Sequence, residues 1–255
     1  MDRETKITLL ANAGLLLEYE DSSFLVDGLF DSGELPFQNL PESVWSDLLA
    51  GKHPFEQIDY LLFTHDHPDH FSEEMTWQYL RHHRVKGVFL PEEVLSCSER
   101  LKYLLQKEGI PTALLSPQTN KTLYHVTPQI TVQAIETLHL DKQYWDVPHF
   151  CYLLTFGKKQ FLVTADVDYT QERFSWLQGQ HIHTAFVNPL FFHELHSNHH
   201  FHGVLNADIL CVYHIPPDQD SQINRMLGHD LQKAESYGRE VIQLSRLLQQ
   251  VRFKD

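Results

Sequence analysis

The sequence predicts an α/β fold built on two β-sheets, and three observations predict it. Short apolar strands open the chain as a meander, strands then alternate with helical stretches, and a second run of strands with a tight hairpin fills the later half. At 255 residues the chain can bury a sizeable core, and no Gly/Ser-rich linker, low-complexity tract or charge block divides it. A single domain over residues 1–255 is the expectation.

Residues 7–10, 15–19 and 24–26 read as antiparallel strands, separated by the turn-like Asn12-Ala13-Gly14 and Glu20-Asp21-Ser22-Ser23 and closed by Asp27-Gly28. Residues 29–55, with Pro36, Pro41 and Pro54 and the exposed-looking Phe30, Phe37 and Trp45, read as irregular. Ser72 is placed to cap a helix whose first turn carries Glu73 and Glu74, where the positive helix end favours acid. Met75, Trp77, Tyr79 and Leu80 give it an apolar face. Residues 85–90 form a strand, after which Pro91 opens a second helix that Gly109-Ile110-Pro111 ends, with Val94, Cys97, Leu101, Leu104 and Leu105 as its buried stripe. Strands follow at 130–135, 151–156 and 159–164, the last two joined by Gly157-Lys158 as a hairpin. Residues 184–187 and 209–213 are further strands, 218–237 look helical with Gly238 as the stop, and 241–244 form a last strand.

The chemistry concentrates in Tyr60-Leu61-Leu62-Phe63-Thr64-His65-Asp66-His67-Pro68-Asp69-His70, where an apolar strand runs into four metal-ligand side chains. His65 and His67 lie two positions, roughly 6.6 Å of extended chain, apart and so point to one side. Asp66, between them, faces away and is structural. Pro68 turns the chain, and Asp69 and His70 then suit a second cation, since paired metals in hydrolytic sites lie about 3.5–4 Å apart.

This stretch resembles the H-x-H-x-D-H signature of the metallo-β-lactamase superfamily. The resemblance implies a four-layer αββα sandwich with metals along one edge of the sheets, and three further ligands. Phe161-Leu162-Val163-Thr164-Ala165-Asp166 is similar to the strand ending in Gly-Asp that supplies a bridging carboxylate, with Ala165 in place of Gly. Asp166 is the expected ligand and Asp168 the alternative. The strand at 209–213 delivers His214 as the last His. The remaining His is His139, at the end of the strand that starts at 130, or His149, just before the next; His139 is preferred, although residues 140–146 make a longer connection than usual. Asp27 matches the Asp that supports the metal loop in the family, or is a turn Asp. One ion then takes His65, His67, His139 and Asp166; the other takes Asp69, His70, His214 and the shared Asp166.

The resemblance implies a metal-dependent hydrolase of a small ester, lactone or phosphodiester, with a metal-bridging hydroxide as nucleophile and Asp69 as the catalytic residue that orients it. Within the family the chain looks most like compact cytoplasmic hydrolases related to sugar-phosphate lactonases. Two divalent ions are implied; imidazole and carboxylate without thiolate suit Zn²⁺, and Mn²⁺ or Fe fit the same set. An iron-dependent oxidoreductase on the same fold and a metallo-nuclease are the alternatives.

Composition narrows these. With 20 Lys+Arg against 34 Asp+Glu the net charge is −14, which opposes a nucleic-acid partner because phosphates are held mainly by cations. A small-molecule substrate is expected. The charged start, the short apolar runs and three scattered cysteines in apolar contexts predict a cytoplasmic chain without membrane contact and with buried thiols. There are 18 His, more than two ions can use. Residues 191–203 alone hold five, reading as a solvated loop or, alternatively, a lid over the substrate.

Overall fold

Apolar side chains on both faces of the opening strands drive the meander: β1 (Glu4–Leu9), β2 (Leu15–Tyr19) and β3 (Ser22–Val26) pair antiparallel, as expected. The computed structural model describes residues 3–169, 174, 176–197, 205–234 and 240–254. Its contacts divide into two compact units, one of Met1–Thr119 with Arg246–Asp255 and one of Asn120–Ser245.

In the first unit β3 is followed in parallel by β4 (Tyr60–Leu62), β5 (Gly87–Pro91) and β6 (Thr112–Leu115). β14 (Gln250–Lys254) pairs antiparallel with β1, giving the order β14-β1-β2-β3-β4-β5-β6. Leu25, Leu61 and Val88 pack with Tyr79 and Leu80 of α2 (Glu73–His82) and Leu101 and Leu105 of α4 (Glu99–Glu108) in one buried cluster. Ser72 Oγ accepts from the Met75 amide at 3.3 Å, the expected cap. Gly109, at φ 63°, ends α4 in the left-handed conformation that glycine adopts at little cost.

The second unit repeats this plan. β7 (Leu123–Thr127), β8 (Ile130–Thr137), β9 (His149–Phe156) and β10 (Lys159–Val163) are antiparallel, and β11 (Ile182–Val187), β12 (Ala207–Val212) and β13 (Glu240–Gln243) continue in parallel. Its core gathers Leu153, Leu162, Ala185 and Leu210 with Phe191, Phe192 and Leu195 of α5 (Pro189–Ser197) and Leu227 of α6 (Gln222–Ala234). In both units parallel strands end side by side, and loops beyond such carboxyl ends are where α/β sheets place ligands.

Four expectations need correction. Residues 29–55 hold a helix, α1 (Glu42–Leu49); Phe30 is buried, and Phe37 and Trp45 are half-buried. The second helix is two, α3 (Glu92–Cys97) and α4, because Ser98 leaves helical geometry at φ −117°, ψ 74°. That break ends the stripe at Cys97, whose thiol is exposed while Cys151 and Cys211 are buried. The loop expected at 191–203 begins as α5: Pro189 starts the helix and the Asn188 side-chain carbonyl accepts from the Phe191 amide at 2.9 Å. Residues 198–203 of that stretch, and with them the lid expectation for His199, His200 and His202, lie outside the described residues.

Candidate metal centre

In the first unit, β3 and β4 end next to each other and hand their following residues to one small polar cluster. Asp27 is fully buried, and at φ 46° it takes the left-handed backbone that Asp tolerates better than most residues. Its Oδ1 accepts from the Thr64 amide at 2.9 Å, and its Oδ2 accepts from Thr64 Oγ1 at 2.6 Å and His70 Nδ1 at 2.9 Å. Asp27 therefore ties Thr64 and His70 together through its side chain.

These bonds fix the ring nitrogens. Since the Thr64 hydroxyl proton goes to Asp27, Thr64 Oγ1 accepts from His65 Nδ1 at 2.9 Å. His65 and His70 thus both carry their proton on Nδ1, which makes Nε2 the lone-pair nitrogen of each ring. A metal-binding His is commonly prepared in this way. The His65 ring centroid lies 4.7 Å from that of His67 and 4.1 Å from that of His70, and His70 Nε2 is 3.6 Å from Asp69 Oδ2. Asp66 is exposed, whereas His65 is buried and His67 half-buried.

Asn12, expected only as part of a turn, also belongs to this cluster. Its Nδ2 donates to the Asp69 carbonyl at 3.0 Å and to Asp69 Oδ2 at 3.2 Å, and it is buried with φ 46°. An Asn before Ala-Gly reads as turn punctuation, which hides a side chain that also aims a carboxylate.

In the second unit three strand ends converge on Asp166. His214 Nε2 lies 3.1 Å from Asp166 Oδ1, and His139 Nε2 lies 3.8 Å from Asp166 Oδ2. Each carboxylate oxygen faces a different imidazole, an arrangement that suits a carboxylate placed between two candidate ligand groups. His139 Nδ1–H donates to the Leu140 carbonyl, so its lone-pair nitrogen is the one facing Asp166. His149 is fully buried at the start of β9 with Nδ1 2.7 Å from Thr137 Oγ1, and Asp168 accepts the Trp145 indole N–H at 3.2 Å.

Ala165, which stands where the family has Gly, sits at φ 47°. Its amide donates to Tyr213 Oη at 3.0 Å and its carbonyl accepts from Asn188 Nδ2 at 2.9 Å. Side chains from the ends of β11 and β12 thus hold both peptide groups of a residue in a conformation that costs an L-residue roughly 1–2 kcal/mol. His214 is also left-handed, at φ 55°, so strained backbone gathers at the candidate ligands.

The donor sets fit divalent ions: imidazoles, of which His65, His70 and His139 have Nδ1 bonded and so leave Nε2 as the ligand nitrogen, and carboxylates, without thiolate. The family model described as the beta-lactamase superfamily domain matches residues 23–218. Among solved structures, the chain is similar to YhfI, a metallo-beta-lactamase fold protein of Bacillus subtilis, with 15% identity, TM-score 0.66 and coverage of 99% of this chain and 100% of that one. An isothiocyanate hydrolase from Delia radicum gut bacteria gives 16% identity, TM-score 0.66 and coverage of 98% and 100%. CmlA, a diiron beta-hydroxylase of Streptomyces venezuelae, gives 17% identity and TM-score 0.65 over 99% of this chain and 55% of that one. No curated protein matches the chain. At these identities the likeness is one of fold.

Proposed function

The chain belongs to the beta-lactamase superfamily, and from that premise we propose that it is a binuclear metal-dependent hydrolase of a small ester, lactone or phosphodiester. The observation that carries this reading is Asp166, whose two oxygens each face a separate imidazole nitrogen. In the arrangement that the family resemblance implies, His65, His67, His139 and Asp166 hold one ion, and Asp69, His70, Asp166 and His214 hold the other. Zn²⁺ is the ion that best suits such nitrogen and carboxylate donors. When bound, the ions would supply Lewis acidity and bring a water to the threshold of ionisation near pH 7.

The chain's own residues do the rest. Asp69, aimed by Asn12, orients the attacking water and takes up its proton. Asp27 keeps the Nδ1 proton on His70, and through Thr64 on His65, so that both rings present Nε2. Tyr213 and Asn188 hold the Ala165 peptide and thereby the direction of Asp166.

Among the described residues no helix is long and apolar enough to cross a membrane. Three free thiols support a reducing, cytoplasmic setting, and a net charge of −14 supports action on small molecules rather than nucleic acid. The fold likeness to a diiron hydroxylase supports a second reading, an iron oxidoreductase. Elemental analysis with a screen of esters, lactones and phosphodiesters, run beside an oxygen-uptake assay, tests both. Two equivalents of zinc with hydrolytic turnover is the expected result; bound iron with oxygen uptake and no hydrolysis would overturn it.

A further inference from the structure

The longer connection at 140–146 is an ordered flap on the second unit. At its base residues 138–140 pair with 166–168: the Leu140 amide donates to the Asp166 carbonyl at 2.6 Å and the Asp168 amide to the Leu138 carbonyl at 2.7 Å. Asp141 turns the chain at φ 71° into the short 3-10 turn Lys142–Tyr144, and the Val147 amide closes back on the Tyr144 carbonyl at 3.0 Å. This framework holds up two adjacent aromatic side chains that stay exposed, Tyr144 at 39% and Trp145 at 40%.

Two consecutive aromatic residues that remain part-exposed on a tied turn offer ring surface to a ligand, and exposed apolar surface of this kind commonly marks a binding site. Both rings are anchored on the candidate site. The Tyr144 ring meets the His139 ring edge-on with centroids 5.2 Å apart, and the Trp145 indole N–H bonds to Asp168, two residues beyond Asp166. The charge around them is not that of a phosphate site. Asp141, Asp146 and Asp168 outnumber Lys142, whose ammonium already lies 5.5 Å from the centre of the Trp145 ring.

We propose that Tyr144 and Trp145 form the recognition surface for an uncharged substrate bearing a flat apolar ring next to the scissile bond, an aryl lactone or aryl ester rather than a phosphorylated sugar lactone. The inference rests on the hydrolase reading above and sharpens it. An aromatic face gains most from a flat ring laid upon it, and an acidic flap on an acidic protein adds no attraction for phosphate.

The test uses two measurements on the full chain. Binding of β-tetralone, the carbocyclic analogue of dihydrocoumarin that cannot be hydrolysed, is followed calorimetrically on metal-stripped and metal-loaded protein. Turnover is compared for dihydrocoumarin, δ-valerolactone and a phosphorylated gluconolactone. Trp145→Ala should weaken β-tetralone binding and raise the dihydrocoumarin KM by about fivefold to tenfold, with a several-fold smaller effect on the δ-valerolactone KM. Trp145→Phe, which keeps a flat ring, should recover most of the loss. Because Trp145 is exposed, neither change removes core packing. Equal β-tetralone binding by the parent and Trp145→Ala, no binding by the parent, or a preference for the phosphorylated lactone would overturn the proposal. Since the binding arm is also run without metal, a chain that binds β-tetralone through Trp145 yet hydrolyses nothing would refute the hydrolase reading and leave the recognition surface standing.

Discussion

Replacing Asp27 by Asn tests whether the ring tautomers are set from beneath the metal loop. The side chain keeps its shape, and Asn tolerates the φ of 46° as well as Asp does, so the backbone is not the variable. What changes is hydrogen-bond polarity. Asp27 accepts from Thr64 N, Thr64 Oγ1 and His70 Nδ1, whereas an amide offers one oxygen and a donating NH₂. If the NH₂ takes the place of Oδ2, His70 must present Nδ1 as acceptor and move its proton to Nε2, which removes the ligand lone pair. If it takes the place of Oδ1, it meets the Thr64 amide donor to donor. The first outcome costs the ligand nitrogen, and the second leaves a buried donor mismatched, at about 1–3 kcal/mol of stability. Loss of such a supporting bond lowers metal affinity roughly 10–100-fold. Chelator competition with Zn²⁺ measures the affinity, and urea unfolding of the metal-free protein measures the stability separately. Asp27→Asn binding both ions within twofold of the parent would refute the reasoning.

His139→Ala should lose bound metal while His149→Ala, which removes a ring held by Thr137, should retain it; equal metal content in His139→Ala and the parent would sink the assignment. Asn188→Ala removes both the cap on α5 and the donor to the Ala165 carbonyl, so unfolding should be easier by about 2–4 kcal/mol, and a change below 1 kcal/mol would show that Asn188 holds nothing. Cys97 should be the thiol that reacts in the native protein, with Cys151 and Cys211 reacting only on unfolding, as a thiol-reagent titration with and without denaturant would show. Burial pushes the Cys151 thiol up from 9.0 to about 12. A raised folded-state value means that its contribution to stability is complete below pH 9 and is lost as the pH rises toward 12. Urea midpoints should therefore fall across that range, and Cys151→Ala should fall less steeply.

Much of the candidate site was legible because its signals are local. The apolar strand before His65, the ligand spacing from His65 to His70, and the strand ends before Asp166 and His214 can all be read within ten residues. What escaped depends on distant partners or weak local cues. β14 alternates charged and apolar residues and becomes a strand through β1, far away in sequence, to which it also contributes the Arg252 to Glu4 ion pair. Asn12 looks like any turn Asn until Asp69 is placed against it. Ser98 breaks a stripe whose apolar spacing continues across it. The start of α5 was in the sequence, as Asn188-Pro189, but the His-rich run beyond it drew the reading toward a loop. The shared strand order of the two sheets has no counterpart in any visible repeat, since packing preserves apolar character without preserving residues.

In the proposed function turnover depends on two ions held by His65, His67, Asp69, His70, His139, Asp166 and His214, with Asp69 serving both the metal and the attacking water. One preparation, stripped by chelation and refilled with Zn²⁺, Mn²⁺ or Fe²⁺, is assayed for bound metal and for hydrolysis of its best screened substrate, beside Asp69→Asn treated in the same way. Stripping should abolish turnover, and refilling to two equivalents should restore it. Asp69→Asn should bind less metal and lose about a hundredfold or more in rate, since each 1.36 kcal/mol of barrier is about tenfold. Unchanged turnover in the stripped protein, or full activity in Asp69→Asn, would contradict it.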